Sequence, residues 1–265
     1  MIDISCSIVT YKSNKDDLFK AIQCFLNTDL KIHLFISDNS PTDILRDELN
    51  VFPKDKITYI FNGRNGGYGW GHNQVILNQN IDSKYHLILN PDIEFKKGVL
   101  EELFNFLENN VTIGHVMPKV RYPDGELQYL CKRLPTPINL ILRKFCPIKT
   151  LISKSDYLYE MRDFDYNSIK EIPILSGCFM LLRTDVLKSV NGFDERFFMY
   201  LEDYDLSRRI NMISTSVFYP YVEIIHSHAK GSFKNKKMLM FHVISAIKYF
   251  NKWGWIFDKY RRNSL

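Results

Sequence analysis

Long hydrophobic runs are missing from this 265-residue chain. The longest, such as residues 172–182, fall well short of the ~18 apolar residues a helix needs to cross a bilayer, so no membrane-spanning helix is expected. The N-terminus enters a strand-like run with no basic segment, long apolar stretch or small-residue cleavage site, and nothing there marks the chain for export. Cysteine is scarce. Cys6, Cys24, Cys131, Cys146 and Cys178 form an odd, scattered set without a Cys-x-x-Cys pair, which argues against structural zinc and a disulfide framework, and for reduced thiols in a cytoplasmic protein. No Gly-Lys-Ser/Thr closes the glycine-rich stretch at 65–71, and that stretch follows the third strand, not the first, as a dinucleotide-binding fingerprint would. Without a recognition module in the body of the chain, nucleic acid is not an expected partner. A composition of 45% apolar and 25% charged residues, with no repeat, is that of one folded domain with a sizeable core.

Charge is unevenly placed. Residues 234–265 hold eight cations and one anion, Asp258, so this tail carries about +7 of a net +5 and leaves the body near neutral. At helical spacing Leu239, Val243, Ile247, Phe250, Trp253 and Phe257 share one arc, with Lys248, Lys252 and Lys259 opposite, which predicts a basic amphipathic helix. Such a helix either packs its apolar side on the domain or adsorbs to an anionic membrane surface through its lysines, Trp255 and the Arg261-Arg262 pair; the pattern serves both.

Strands alternate with helices at short intervals. Apolar runs at 4–9, 31–37, 57–61, 86–89, 174–182 and 217–225 read as strands; residues 16–27, 72–80 and the stretches after Thr184 and Glu202 read as helices. This alternation predicts an α/β fold with a mostly parallel central sheet covered by helices, in which loops at the carboxyl ends of strands build the ligand site. Asp38, the glycine stretch and Asp92 all stand at such ends. Residues 134–172, with three prolines and irregular periodicity, read as an excursion that covers a second substrate. The expected division is a domain over 1–233 and a basic helical extension over 234–265.

Three acidic positions carry the candidate chemistry. Asp38 suits an Asx turn or cap as well as it suits hydrogen bonds from a base or ribose. Asp92, after Asn90-Pro91, suits a turn and also a hard divalent cation. Glu202 and Asp203 could be a helix-capping cluster, with Asp205, answered by Arg208 and Arg209; in a cleft, crowding the two carboxylates would raise one pKa and make a general base. The glycines at 66, 67, 69 and 71 would let backbone amides approach a diphosphate, with Asn65 and Asn73 adding side-chain amides. His226 and His228 are potential metal ligands.

Taken together, Thr10-Tyr11, Asp38-Asn39-Ser40, residues 65–69 with Asn73, Leu89-Asn90-Pro91-Asp92, residues 176–181, and residues 192–206 with Glu202-Asp203 resemble family 2 glycosyltransferases, in the rhamnosyltransferase-type branch that builds bacterial O-antigen and related polysaccharides. The resemblance spans roughly residues 4–230 and implies a GT-A nucleotide-sugar-binding fold that inverts the anomeric centre. It implies that Thr10, Tyr11, Asp38 and Asn39 hold base and ribose; that Asn65, Gly66, Gly67, Gly69 and Asn73 lie beside the diphosphate sugar; that Asn90 and Asp92 stand where many members carry an Asp-x-Asp metal motif; that Asp203 is the base, supported by Glu202; and that His226, or else His228, completes the site of a divalent cation, Mn2+ or Mg2+. The implied donor is dTDP-L-rhamnose, with a UDP-hexose or UDP-galactofuranose as alternatives. The implied acceptor is a lipid-linked saccharide at the inner face of the cytoplasmic membrane. A nucleotidylyltransferase, which would need an Arg/Lys-bearing glycine loop after the first strand, and a noncatalytic sugar-nucleotide-binding protein are the competing readings.

Overall fold

The computed structural model describes residues 1–79, 81–141, 149–227 and 236–262; Cys146, His228 and Lys234 lie outside these. The chain runs β1 (Ile2–Thr10), α1 (Lys15–Leu26), β2 (Ile32–Asp38), α2 (Leu45–Glu48), β3 (Ile57–Phe61), α3 (Tyr68–Ile76), β4 (Ser83–Leu89), β5 (Ile93–Glu94), α4 (Val99–Asn109) and β6 (Ile113–Arg121). It continues through α5 (Pro137–Leu140), α6 (Lys149–Tyr159), β7 (Lys170–Glu171), β8 (Phe179–Arg183), α7 (Thr184–Ser189), α8 (Glu202–Ile210), β9 (Thr215–His226), α9 (Lys236–Trp253) and α10 (Lys259–Arg262).

One sheet has the order β3-β2-β1-β4-β8-β6-β9-β5, with β7 pairing β9. The expected parallel pairing holds over β3-β2-β1-β4 and again between β6 and β9. It fails at β8, which runs antiparallel to both β4 and β6, so the sheet is mixed. The reason lies in the return from the excursion: residue 178 re-enters beside the end of β4, where Asn90 N–H bonds Cys178 O, and β8 must then run back along β4.

Strand β1 shows why its sequence alternates Ile4-Ser5-Cys6-Ser7-Ile8. Successive side chains point to opposite faces. Ile4, Cys6 and Ile8 join Leu34, Ile36, Leu87 and Leu89 in the main core, which α1 (Leu18, Ile22, Phe25) and α4 (Leu100, Leu103, Leu107) cover. Ser5 and Ser7 face the other way and meet the buried ring of His86 on both nitrogens, at 2.7 and 2.9 Å; Ser7 also meets His72 at 2.7 Å. That second face is otherwise sealed by Ile76, Ile88, Met180, Leu182, Phe193 and Leu206, bringing α3, α7 and α8 against the sheet. Helix α1 starts where predicted because Asn14 Oδ1 accepts from the amides of Asp16 and Asp17.

The C-terminal helix follows its predicted orientation in part, with Phe250 buried and Trp253 packed beside it, and departs from it elsewhere. The buried face of α9 is His242, Ser245, Ala246, Tyr249 and Phe250, packed on Leu140, Tyr159, Phe197 and Leu201. Ile247 and Phe257, placed on the apolar arc by spacing, are exposed, whereas Lys252 turns inward to Asp194 and Asp205 at 2.8 and 2.6 Å. Buried acids on neighbouring segments decide the rotation of this helix, and spacing within the helix cannot report them.

Candidate active site

Hollows along the carboxyl ends of the parallel strands form a trough. The outer one, about 230 Å3, is lined by Thr10, Lys12, Ser13, Asp38 and Ser40. The middle one, about 350 Å3, is lined by Val9, Ser13, Tyr68, Asn90 and Asp92. The largest, about 650 Å3, again has Tyr68 and Asn90 in its wall and extends past Glu202, Asp203 and His226 to Tyr129, Lys132, Glu160 and Arg162. Shared walls join the three.

The base candidate sits at the start of α8. Tyr200 and Leu201 both adopt left-handed backbone (φ 67 and 65) immediately before it. For non-glycine residues this conformation costs on the order of 1 kcal/mol each and persists only when its surroundings impose it. Leu201 is fixed in the cluster with Phe197, Tyr249 and Phe250, and the Tyr200 ring lies 5.6 Å from that of His242. The strained pair delivers Glu202 and Asp203 into the cavity wall. Asp203 Oδ2 accepts from Gly177 N–H and Oδ1 from Tyr204 N–H, both at 3.0 Å. A Cβ on Gly177 would lie 3.1 Å from that of Asp203, so a side chain there would press on the acid. Burial raises the Asp203 pKa above the usual carboxylate value even against those amides. Glu202, only 7% exposed, is pushed much further up by burial and by the charge of Asp203, and its Oε2 has no hydrogen-bond partner. Environment thus separates the two acids: one holds two amides as an acceptor, and the other is favoured in its neutral form. Asp205 follows the structural alternative instead, buried between Arg209 (2.8 Å) and Lys252.

A chain of contacts connects Asp203 to Asp92. The carbonyl of Gly177 accepts from Tyr68 Oη–H at 2.7 Å, and the same hydroxyl lies 3.0 Å from Asn90 Oδ1. Asn90 Nδ2 is 3.5 Å from His226 Nε2, which lies 3.4 Å from Asp92 Oδ1. Gln128 sets this imidazole. Its Nε2 donates to His226 O at 2.8 Å, which fixes the orientation of the amide and leaves Oε1 to accept from Nδ1–H at 3.0 Å. In that tautomer Nε2 is an acceptor, with the Asn90 amide 3.5 Å and the Asp92 carboxylate 3.4 Å away, and this nitrogen and carboxylate are both groups that can ligate a cation. Among the described residues no group of three or more His, Cys, Asp or Glu converges. Asp92 and His226 could supply two ligands of a cation site, the rest of which would have to come from substrate phosphate and water. His228, the other histidine candidate, lies outside the described residues.

The nucleotide end is more protein-bound than expected. Asp38 faces the outer hollow beside Thr10 but already accepts from Ser40 N–H (2.8 Å, the Asx turn) and Tyr59 Oη–H (2.7 Å), leaving its remaining lone pairs for a ligand. Tyr11 is exposed at the rim. Asn39 is turned inward: its amide donates to Gly67 O at 3.1 Å and accepts from Asn62 at 2.8 Å. Asn73 is likewise buried, clamping Phe193 through N–H and O, both at 2.9 Å, and it borders a different hollow with Asn191 and Glu195. These two asparagines hold the scaffold and do not face the trough.

The glycine stretch is also corrected. Residues 68–71 form the first turn of α3, with Gly67 (φ 103) before it, rather than an open loop. A Cβ on Gly66 would meet the Trp70 ring at 2.2 Å, on Gly67 the Phe198 carbonyl at 2.3 Å, and on Gly69 the Phe193 Cβ at 2.8 Å. The space a side chain would fill is occupied by protein, so these glycines serve packing. Asn65 accepts from Gly67 N–H at 3.0 Å and shapes the entry to the helix. Tyr68 and Gln128 are site residues that sequence reasoning missed. Tyr68 was visible only as part of a motif, and Gln128, 98 residues from its partner His226, left no signal.

Comparison with known proteins agrees with this geometry. A family model described as glycosyl transferase family 2 matches residues 5–190. The chain is 28% identical over 255 residues to the rhamnosyltransferase WbbL of Escherichia coli K12, covering 91% of each. It is 27% identical over 223 residues to the N-acetylglucosaminyl-diphospho-decaprenol L-rhamnosyltransferase of Mycobacterium tuberculosis, covering 78% of this chain and 70% of that one. Among solved structures, GalNAc-T7 with UDP, GalNAc and Mn2+ superposes with a TM-score of 0.67 at 12% identity, covering 96% of this chain and half of that one, which establishes the GT-A fold. S. aureus TarS superposes at 0.59 and 14% identity, covering 94% of this chain and 40% of its own. With more than half of its length matched by the family model and the fold shared by its structural neighbours, the chain belongs to glycosyl transferase family 2 and is a glycosyltransferase.

Proposed function

We propose that this enzyme transfers L-rhamnose, with inversion, from dTDP-L-rhamnose to a hydroxyl of a lipid-linked saccharide, at the inner face of the cytoplasmic membrane. The observation that carries the reading is the single trough in which Asp203 and Asp92 stand at the two ends of the Gly177–Tyr68–Asn90–His226 contact chain. The nucleotide would lie toward Thr10, Tyr11 and Asp38, its diphosphate near Asp92, and the acceptor in the large hollow, walled partly by the 134–172 excursion.

Asp203 takes the proton of the acceptor hydroxyl as that oxygen attacks the anomeric carbon and the bond to the diphosphate oxygen breaks. The two amides on its carboxylate hold it in place without quenching it, and Gly177 keeps it close to the wall. Neutral Glu202 beside it avoids a second charge and presents a donor to the acceptor. A divalent cation, Mn2+ or Mg2+, would be held by Asp92 and His226, and when bound would offset charge on the departing diphosphate. Gln128 orients the histidine for that role.

The donor rests on the names of two relatives below 30% identity. A hexose donor has its own support in the 26% identical hexosyltransferase Agl10 of Haloferax volcanii, of which this chain covers 61%. A panel of dTDP- and UDP-sugars with a short saccharide acceptor, with and without manganese, read by nucleotide diphosphate release, separates these. Release from dTDP-L-rhamnose above all others is the expected result; preference for a UDP-hexose would replace the donor, and no release from any would remove the transfer reading.

A further inference from the structure

We propose that the outer face of α9, together with the turn after it, seats the enzyme on an anionic phospholipid surface. Met240, Ile244 and Ile247 recur at helical spacing on that face and are 50, 40 and 41% exposed. At Gly254 (φ +101) the chain turns, and Trp255, Ile256 and Phe257 follow, the last two 79 and 80% exposed. Isolated exposed apolar residues are ordinary, but a stripe that runs into two almost fully bare large side chains marks an interaction surface.

Charge identifies the occupant. Residues 236–257 contain no Asp or Glu and four lysines. Lys236 and Lys237 are exposed and flank the stripe at helical spacing; Lys248 is exposed but its ammonium donates to the Arg196 carbonyl, and the fourth, Lys252, is turned inward by Asp194 and Asp205. Lysines beside an apolar stripe lay their methylenes along hydrocarbon and their ammonium groups among headgroups, and Trp255 has the amphipathic ring favoured at that boundary. A symmetric contact with a second copy would instead bring lysine near lysine with no acid on the face to answer it. Relative to the arc expected from spacing, Phe250 keeps its buried place, Ile247 and Phe257 are exposed and Lys252 turns inward, so apolar residues and exposed lysines share the outer side.

The same helix reaches the site. His242, on its buried side, borders the large hollow and packs on Tyr200, next to the strained Leu201 that sets Glu202 and Asp203. Docking α9 therefore holds the acceptor end of the trough beside the bilayer. This deepens the lipid-linked acceptor reading and rests on it for its purpose, though the surface itself is observed independently.

The test uses the full chain and sedimentation with vesicles of phosphatidylcholine, with and without phosphatidylglycerol. Wild type should sediment with the anionic vesicles and much less with the neutral ones. The double variants Ile256→Ser/Phe257→Ser and Lys236→Glu/Lys237→Glu alter only exposed residues; each should weaken anionic-vesicle binding at least about tenfold while leaving nucleotide diphosphate release with a water-soluble acceptor unchanged. Wild type that ignores anionic vesicles, or variants that bind as wild type does, would overturn the proposal. So would a wild-type dimer in sedimentation velocity that the Ile256/Phe257 variant dissociates, since a second copy would then cover the face. Vesicle binding by a protein that releases no nucleotide diphosphate from any donor would uphold the surface and sink the transfer reading instead.

Discussion

At the scale of single residues, two adjacent carboxyls do different work because their surroundings differ. Asp203 holds two backbone amides, and Glu202 holds none on Oε2. Asp203→Asn should retain donor affinity by calorimetry but lose at least about a thousandfold in kcat, the upper range for removing a general base; near-wild-type turnover would take Asp203 out of its role. Glu202→Gln copies the neutral acid and should keep most activity. A loss as large as that of Asp203→Asn would mean that Glu202 works as an anion. Because burial raises the Asp203 pKa and the base acts unprotonated, activity should rise with pH through a midpoint above the usual carboxylate value. At the other end of the site, Gln128→Ala frees the His226 ring and should lower cation affinity by roughly 10–100-fold, measured by manganese titration. Unchanged affinity would leave Gln128 without a role there.

At the scale of elements, the pieces nearest the chemistry are held by close approach and buried charge. Gly67 combines φ 103 with a Phe198 carbonyl 2.3 Å from the place of a Cβ, so Gly67→Ala should lower unfolding stability by at least about 1–3 kcal/mol in denaturant titration. An unaltered midpoint would show that α3 and the Phe198 segment can separate freely. The Arg208–Asp258 pair ties α8 to the segment after α9 through bonds of 2.8 and 3.0 Å, with both side chains almost wholly buried and Tyr249 Oη at 3.0 Å. Asp258→Ala strands the guanidinium and should cost about 3–5 kcal/mol, whereas replacing both partners with apolar residues should recover much of the loss. The i,i+4 pairing of Asp205 with Arg209 was foreseeable from spacing. The Arg208 partnership, 50 residues away, was not.

At the scale of the whole molecule, the sheet buries a set of imidazoles that sets its acid response. Burial lowers His86 and His115 to about 3, and pushes His72 well below its ordinary value. The unfolded chain takes up protons on these rings near pH 6.5 and the folded one does not, so their contribution is complete above that pH and is lost as pH falls toward 3. Between pH 7.5 and 5.5 the three should remove on the order of 4 kcal/mol, read as a falling denaturation midpoint. Constant stability across that window would mean that the rings are charged in the folded state.

Most of the secondary structure was legible in the chain. Strand and helix identity follow from periodicity and caps, which act within a few residues, and the acidic positions at strand ends followed from the same pattern. Side-chain destinations did not. Asn39, Asn73 and the glycines carry the chemistry of ligand-binding groups, yet their partners are Gly67, Phe193 and Trp70. The rotation of α9 was chosen by Asp194 and Asp205. Local order is written by interactions between near neighbours. Which polar atom faces a substrate is settled by contacts made across the sheet, after the backbone has brought remote segments within 3 Å of one another.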